Sequence, residues 1–435
     1  MIWSTHSAAS SGASARSSAA ALGLAGALLL AGAPVLANAP LAAVAHGHDP
    51  AALPGYDPDG DPRERPQPGG EGLPRALEAL GVFDLAIGLA AFYALPAPGE
   101  PGAPLDTLSP RELLAFAAGR VEFAREFKPA EGLGPHFNEP SCGSCHALPA
   151  LGGVGSRPEH VIYVHEPADL PGETVGLRRQ ALGAAPPELA GPRRGRRRTP
   201  PLFGLGLLDA LPDEAIAAHA DPSDADGDGV AGALNRKGRG SVLRFARFGA
   251  KCHEWNLWRF IGGAMRDEMG LTNPAAAGAQ ADIDAVADLE VDAVTMRRID
   301  AFVRGLAPLS QRAVRDRRDR EVVAKGKAMF AAIGCVGCHR EALGGVQGVY
   351  SDLLLHDLGA GLDAGLDDGP AKARFWRTPP LWGLRHRPRL LHDERATDPA
   401  SAIGWHDGEA AKAKARFLAL PEPERRSILA FLGSL

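Results

Sequence analysis

The sequence has few cysteines, no excess of positive charge and no long hydrophobic run after its first 40 residues. Five cysteines in 435 residues are too few for a disulfide-built scaffold. Lysine and arginine total 47 against 52 aspartate and glutamate residues, which argues against a nucleic-acid-binding protein. A hydrophobic content of 45% excludes a disordered chain and is enough for the cores of two or three domains.

Glycine and proline are abundant instead, with 53 and 37 copies. This abundance predicts a loop-rich protein without long uninterrupted elements. The first convincing helix starts after Ser109, which suits the N-cap position, with Pro110 in the first turn and Glu112 able to complete a capping box. A similar helix is predicted just before the fourth cysteine, with Val323 and Phe330 among its apolar residues.

The first 39 residues are predicted to be an export signal. A polar stretch ending at Arg16 precedes an apolar run over 19–36, and small residues at 37–39 offer a cleavage site near Ala39. A single membrane anchor is the alternative, but glycines and a proline interrupt the run and favour cleavage. We therefore expect a periplasmic protein with no membrane span in its mature chain.

Four of the cysteines belong to two Cys-x-x-Cys-His motifs. Their residues are Cys142, Cys145, His146, Cys335, Cys338 and His339. The motif is the attachment signature of c-type haem, because two thiols one helical turn apart can form thioethers and the adjoining histidine can ligate iron. One copy alone could be a redox dithiol or half of a zinc site. Two copies that both end in histidine, behind an export signal, predict two covalently bound haems with His146 and His339 as iron ligands.

The motifs are part of a longer internal repeat. Each is followed by an Arg-Thr-Pro-Pro-Leu segment, which starts at Arg198 and again at Arg377, and each half ends in a helix-forming segment. We expect both arginines to bind haem propionates, since a guanidinium can hold a carboxylate through two hydrogen bonds. The repeat predicts a signal peptide (1–39), a flexible lead-in with a first helix region (40–105), a first haem c domain with insertions (106–310) and a second haem c domain (311–435).

The sixth iron ligand decides whether a haem only transfers electrons or also binds small oxidants. His392 is the candidate in the second half, with His356 and His406 as rivals. In the alignment of the two halves, Asp209 stands where the second half has His392. We therefore predict a six-coordinate second haem and a more open first haem.

An aspartate-rich stretch is a candidate calcium loop. It contains Asp221, Asp224, Asp226 and Asp228. Alternating carboxylates on a tight turn can converge on one hard cation. The twelfth position counted from Asp224 is Asn235 rather than glutamate, so a complete EF-hand is not expected. The prediction is a calcium site at Asp224, Asp226 and Asp228, and a surface turn is the alternative.

The chain from about residue 132 onward resembles the bacterial di-haem oxidoreductases, a family often labelled thiol oxidoreductases. The resemblance rests on Gly-Leu-Gly-Pro-His-Phe-Asn at 132–138, Leu-Gly-Leu-Leu-Asp at 205–209, Leu-Leu-His-Asp-Leu-Gly at 354–359 and Trp-His-Asp-Gly-Glu-Ala at 405–410. That family is distantly similar to the di-haem cytochrome c peroxidases. The relation implies a mainly α, loop-rich fold with two cytochrome c-like haem domains, one haem passing electrons to the other.

In those peroxidases a Glu-Met-Gly segment lines the haem that reacts with peroxide, and residues 268–270 match it. The resemblance implies that Glu268 is the catalytic acid/base. The peroxidases' upstream glutamine and methionine ligand have no evident counterpart. We predict a peroxidase-like oxidoreductase that takes electrons from a small redox protein. The alternatives are a pure electron-transfer cytochrome and a subunit of an exported redox or metal-uptake complex.

Overall fold

The computed structural model describes residues 88, 91–157, 160–165, 175–177, 194–239, 242–276, 289–368 and 371–435. All of these belong to the unit of the chain that begins at Pro54. The predicted signal peptide, with its cleavage site near Ala39, and most of the predicted lead-in lie outside the described residues. None of the described helices is long and apolar enough to cross a membrane.

The described part of the chain is rich in helices and loops, with short strands between them. The helices are α1 (Pro110–Ala124), α2 (Cys142–Cys145), α3 (Leu205–Asp209), α4 (Asp213–Ala217), α5 (Leu257–Ala264), α6 (Ala293–Gly305), α7 (Arg317–Ala332), α8 (Pro399–Trp405), α9 (Ala411–Ala419) and α10 (Glu422–Leu432). The strands are β1 (Val161–His165), β2 (Val175–Leu177), β3 (Arg194–Arg198), β4 (Asn235–Arg239), β5 (Val242–Ala246), β6 (Ala342–Leu343), β7 (Val346–Gln347), β8 (Leu355–Asp357) and β9 (Phe375–Arg377). They form a β2-β1-β3 sheet and three two-stranded antiparallel pairs, β4-β5, β6-β7 and β8-β9.

Helix α1 begins where the sequence predicts. The Glu112 N–H donates to Ser109 Oγ at 3.4 Å, and the Ser109 N–H donates to the Glu112 carboxylate at 2.6 Å. This capping box satisfies two N–H groups that the helix itself leaves without partners. Just before α1, the Leu105 N–H donates to Gly305 O at 2.8 Å, so the described end of the lead-in is attached to α6.

Each Cys-x-x-Cys-His motif follows a helix that packs against the closing helix of its half. Helix α1 packs against α6, and α7 packs against α10. Both crossings are at a glycine: a Cβ atom on Gly119 would lie 2.0 Å from Arg298 O, and one on Gly326 would lie 1.9 Å from Ser427 O. Any larger residue would force the backbones apart, so these glycines set the distance between the paired helices.

Buried side chains form two main clusters. The first joins residues of the first half with a few from the second, such as Trp382, and the other lies wholly in the second half. In the first cluster the ring centroids of Phe116 and Phe302 are 5.0 Å apart, and in the second those of Phe330 and Phe431 are 5.5 Å apart. These aromatic pairs bury apolar surface at the two helix crossings. Because Trp382 belongs to the first cluster, the domain boundary at residue 310 stays a prediction.

Candidate functional site

The first Cys-x-x-Cys-His motif forms a single helical turn, α2, whose N-cap is Ser141. His146 follows the turn, and its Nδ1 lies 2.9 Å from Gly153 O. A carbonyl oxygen only accepts, so Nδ1 carries the proton and Nε2 is the basic nitrogen. Burial lowers the pKa of His146 to about 4. The imidazole is therefore neutral, as a metal ligand must be.

The second motif holds its histidine in the same way. His339 Nδ1 lies 3.1 Å from Tyr350 O, and burial lowers the pKa of His339 to about 4. Each motif histidine also contacts a phenylalanine of the preceding helix. The ring centroids of Phe123 and His146 are 6.0 Å apart, and those of Phe330 and His339 are 6.1 Å apart. Both rings are thus held with Nε2 as the basic nitrogen.

The electrostatics of the cysteines do not match those of a redox dithiol. All five cysteines lie in the described residues, and none forms a disulfide. Burial raises the pKa of Cys142 and that of Cys335 to about 12, whereas dithiol catalysts have a lowered thiol pKa. Among the described residues, no cluster of three zinc-type ligands includes a cysteine of the first motif. These observations favour haem over the two alternatives for that motif.

Both motifs line one cavity of about 1150 Å³. This volume exceeds the roughly 300–1000 Å³ of pockets that hold a single small ligand. Four thiols and two neutral imidazoles on the wall of one large cavity are the donor set that two c-type haems require. The residues present therefore fit two haems.

Among the described residues, seven arginines line the same cavity, and four of them lie in or beside the two Arg-Thr-Pro-Pro-Leu segments, namely Arg197, Arg198, Arg377 and Arg387. Burial lowers the pKa of Arg198 to about 10. Burial also lowers the pKa of Arg387 to about 9, and the positive charges of Arg198 and Arg377 lower it further. In the described structure the Nε atoms of Arg377 and Arg387 have no hydrogen-bond partner. Such guanidinium groups need anions beside them, and haem propionates would supply these. Arg387 was not predicted from the sequence, because it stands in an arginine-rich stretch without a repeat to mark it.

His406 is the histidine whose ring lies beside that of His339, with ring centroids 6.5 Å apart. Its Nδ1 lies 2.8 Å from Ala402 O, so His406 also keeps Nε2 as its basic nitrogen. Burial lowers the pKa of His406. The structure thus brings one of the two rival candidates beside the second motif histidine.

His392 belongs to a different group of side chains on the wall of the same cavity. Its ring stacks on Trp376, with centroids 3.7 Å apart and planes 12° apart. The Lys251 ammonium and the Arg197 guanidinium lie 4.4 and 4.8 Å from the Trp376 ring. Burial lowers the pKa of His392 to about 3. Ligation of iron by His392 stays a prediction, and its surroundings support it less than those of His406 do.

His356 has both ring nitrogens on carboxylates. Nδ1 lies 2.7 Å from Glu409 Oε2, and Nε2 lies 2.9 Å from Asp352 Oδ2. Burial opposes a charge on this ring, but hydrogen bonds to Asp352, Cys338 and Glu409 outweigh burial and raise the pKa of His356 to about 12. His356 is therefore an imidazolium, and an imidazolium has no lone pair for iron.

Glu268 lies in a π-helical turn, Met265–Met269, that continues helix α5. Such turns occur frequently at functional sites. The Asn138 N–H donates to Glu268 O at 2.7 Å, and the Asn138 side-chain amide donates to the Glu268 carboxylate. Both side chains line the cavity. Glu268 is thus bonded to the loop that leads into the first motif. No role for Asn138 was predicted from the sequence, although this residue ends the Gly-Leu-Gly-Pro-His-Phe-Asn segment.

The aspartate-rich loop has a different arrangement from the predicted one. Asp221, Asp224 and Asp226 each offer a carboxylate oxygen within 4.8 Å of the others. Asp228 lies outside this group, and its Oδ1 accepts from the Val230 N–H at 2.7 Å. The structure therefore groups Asp221, rather than Asp228, with the other two carboxylates.

Two haem-attachment motifs with oriented histidines, on one cavity that also carries unpaired guanidinium nitrogens, define a protein with two haem sites. Residues 190–435 match the family described as "Di-haem oxidoreductase, putative peroxidase". This match covers more than half of the chain, so the protein belongs to the di-haem oxidoreductase family. The matched residues contain the second motif, and the first motif precedes them.

Solved structures with some similarity include hydrazine synthase from Kuenenia stuttgartiensis, with 14% identity and a TM-score of 0.39 over 78% of this chain and 96% of that chain. Another is the diheme peroxidase BthA from Burkholderia thailandensis, with 16% identity and a TM-score of 0.41 over 77% of this chain and 88% of that chain. Curated protein sequences gave no significant match. The assignment therefore rests on the family match and the site.

Proposed function

We propose that this protein is an exported di-haem c-type oxidoreductase that reduces peroxide, with the second haem passing electrons to the first. The observation that carries the proposal is that both motif histidines are half-buried, neutral and held by a carbonyl, on one cavity that also contains Glu268. Haem bound at the two motifs would supply an iron that binds peroxide and a second centre that takes up an electron.

In this proposal each haem is held by residues of its own half. Cys142 and Cys145 would carry the first haem, and His146 would ligate its iron. The second haem would be held in the same way by its own two cysteines and by His339. We assign the sixth ligand of the second haem to His406, because the separation of 6.5 Å between the two rings leaves room for a planar group. This assignment gives a closed second haem and an open first haem.

In this proposal Glu268 delivers the protons that peroxide reduction consumes. Reduction of hydrogen peroxide to two waters consumes two electrons and two protons, so a group in the cavity must deliver protons to the oxygen that leaves. The Glu268 carboxyl has the chemistry for this step, and the side-chain amide of Asn138 orients it. Asn138 is therefore a positioning residue. A small redox protein outside the chain supplies the electrons.

The two haem domains, 106–310 and 311–435, are part of the proposal, as is their origin by duplication. The parallel helix crossings at Gly119 and Gly326 support it, as do the parallel phenylalanine contacts of the two motif histidines. Export to the periplasm rests on the predicted signal at 1–39. The carboxylates of Asp221, Asp224 and Asp226 are the proposed calcium ligands.

The test is to express the protein with the c-type haem maturation machinery and to record the EPR spectrum of the ferric form. We expect two covalent haems per chain, one high-spin and one low-spin. Glu268→Gln should lower peroxide turnover by about 100-fold or more with both EPR signals unchanged, and Asn138→Ala should cause a smaller loss. Two low-spin haems in both the oxidised and the half-reduced protein would instead identify a pure electron carrier.

A further inference from the structure

We propose that Arg387 binds carboxylates of both haems at once and thereby couples their reduction potentials. This inference rests on the proposed function, because it requires a haem at each motif. It concerns a residue that neither the repeat nor the attachment motifs single out.

The guanidinium of Arg387 is held by hydrogen bonds on the wall of the cavity. The residue is only 9% exposed, and its Nη2 donates to Pro380 O at 2.7 Å and to Trp382 O at 2.8 Å. Both carbonyls belong to the segment that starts at Arg377. The Nε atom of Arg387 is buried and has no hydrogen-bond partner in the described structure. This donor therefore remains for a ligand in the cavity.

The positive charges around Arg387 favour the binding of an anion beside it. Among the described residues, the ionisable groups that act on Arg387 are Arg198 and Arg377, and both are cations. The carboxylate of Glu394 acts on Arg198. Within this described cluster, three guanidinium groups with one carboxylate leave an excess of positive charge in a poorly solvated place, which is unfavourable until further carboxylates join it.

Arg198 belongs to the first half of the chain, whereas Arg377 and Arg387 belong to the second. Hydrogen bonds of Arg198 and Arg377 link the two halves. The Arg198 N–H donates to His392 O at 2.7 Å, and its Nη1 donates to Arg389 O at 3.2 Å, so this first-half residue lies on the loop that carries Arg387. Conversely, Arg377 Nη1 donates to Arg247 O at 2.9 Å in the first half. Because Arg198 and Arg377 hold equivalent positions in the repeat, each is expected to serve the haem of its own half. Arg387 lies close enough to Arg198 and to Arg377 for the charge of each to lower its pKa.

Loss of this shared charge should affect both haems. A positive charge beside a propionate favours the reduced form, which carries one more negative charge than the oxidised form. Arg387→Gln should therefore lower both reduction potentials. We expect at least a tenfold change in the reduction equilibrium constant of each haem, which is about 59 mV for a one-electron couple.

The experiment is a potentiometric titration of the holoprotein in which the absorption bands of the two haems are followed separately. Arg387→Lys retains the charge and should give smaller shifts in the same direction. Arg385→Gln is the matched control, because that guanidinium donates to the Ser310 and Leu435 carbonyls, and both potentials should stay unchanged.

A shift confined to one haem, or no shift, would overturn the proposal and leave the peroxidase assignment intact. If Arg387→Gln does not retain both haems, the lysine variant decides: shifts at both haems support the proposal, and a shift at one or at none overturns it. Absence of two covalent haems in the unmodified protein would overturn the proposed function itself, so the two failures are distinguishable.

Discussion

Four histidines are of two kinds, according to the hydrogen-bond partners of their ring nitrogens. In His146, His339 and His406, Nδ1 lies within hydrogen-bond distance of a backbone carbonyl, so each ring keeps Nε2 as a basic nitrogen. In His356 both nitrogens lie against carboxylates. Three of these histidines thus suit iron, whereas the fourth carries a fixed positive charge. This distinction depends on single hydrogen bonds, so it cannot be predicted from the residue type.

The sixth ligand of the second haem is tested by removing one histidine at a time. His406→Ala should convert the low-spin EPR signal to a high-spin one, because a haem that loses an imidazole ligand has an open face. His392→Ala is the matched control and should leave the low-spin signal in place, since its ring packs on Trp376. The opposite pattern would return the assignment to His392.

At the scale of the elements, the glycine crossings determine how each motif helix is held. Gly326→Ala should destabilise the protein by about 1–3 kcal/mol, the usual effect of overpacking, because its Cβ would meet Ser427 O. The higher helix propensity of alanine offsets about 1 kcal/mol at most. Urea denaturation would measure the change in the free energy of unfolding.

Gly404→Ala is the matched control for that helix crossing. Gly404 is exposed in helix α8, and a Cβ there would meet nothing within 4 Å. This variant should be neutral or slightly stabilised. Equal destabilisation by both substitutions would show that the crossing at Gly326 has no special role.

The grouping of carboxylates in the aspartate-rich loop predicts which aspartates would bind calcium. If it binds calcium, Asp221→Asn should weaken binding strongly, because Asp221 groups with Asp224 and Asp226. Asp228→Asn should have little effect, because that carboxylate lies outside the group and accepts from the Val230 N–H. Isothermal titration calorimetry with calcium measures both. Equal weakening by the two variants would favour the set that the sequence predicted.

At the scale of the whole molecule, Glu409 joins the two halves. Its carboxylate accepts from the Ala231 and Gly232 N–H groups in the first half and lies against His356 in the second half. Burial raises the pKa of Glu409, but hydrogen bonds from His356 and from backbone N–H groups outweigh burial and lower it. Glu409 therefore holds the segment after His406 against residues 231–232 of the first half and against His356 of strand β8.

The pH dependence of this junction follows from the signs of the two shifts. The raised pKa of His356 contributes stability that is complete below its unfolded value of about 6.5 and is lost as pH rises toward 12. The lowered pKa of Glu409 contributes stability that is lost as pH falls below about 4.5. His356→Gln should therefore destabilise the protein by about 3 kcal/mol or more near pH 5.5, and by less at pH 8.5.

Urea denaturation at several pH values would measure that profile. Arg317→Gln is the control, because it removes an exposed ion pair with Glu321 and should change stability by less than about 1 kcal/mol at every pH. A destabilisation by His356→Gln that does not vary with pH would mean that the His356 ring is neutral in the folded protein.

Helix caps, helices and continuous motifs could be predicted from the sequence, because they depend on residues close together in the chain. The capping box at Ser109 needs only residues three apart, and the helices before and after the motifs follow from apolar spacing. The family could be predicted for the same reason, since short continuous segments such as 132–138 and 354–359 indicate it. The haem-attachment residues are predicted from Cys-x-x-Cys-His, which is also a continuous motif. No long-range contact is required to recognise any of these features.

The remaining features depend on contacts between residues far apart in the chain, which spacing does not encode. Only the fold places His406 beside His339, groups Asp221 with Asp224, and gathers Arg387 with Arg198 and Arg377. It also bonds Asn138 to Glu268, 130 residues later in the chain. Burial and cross-chain hydrogen bonds then decide which of these groups is charged, and that decision determines which can ligate, donate a proton or hold a carboxylate.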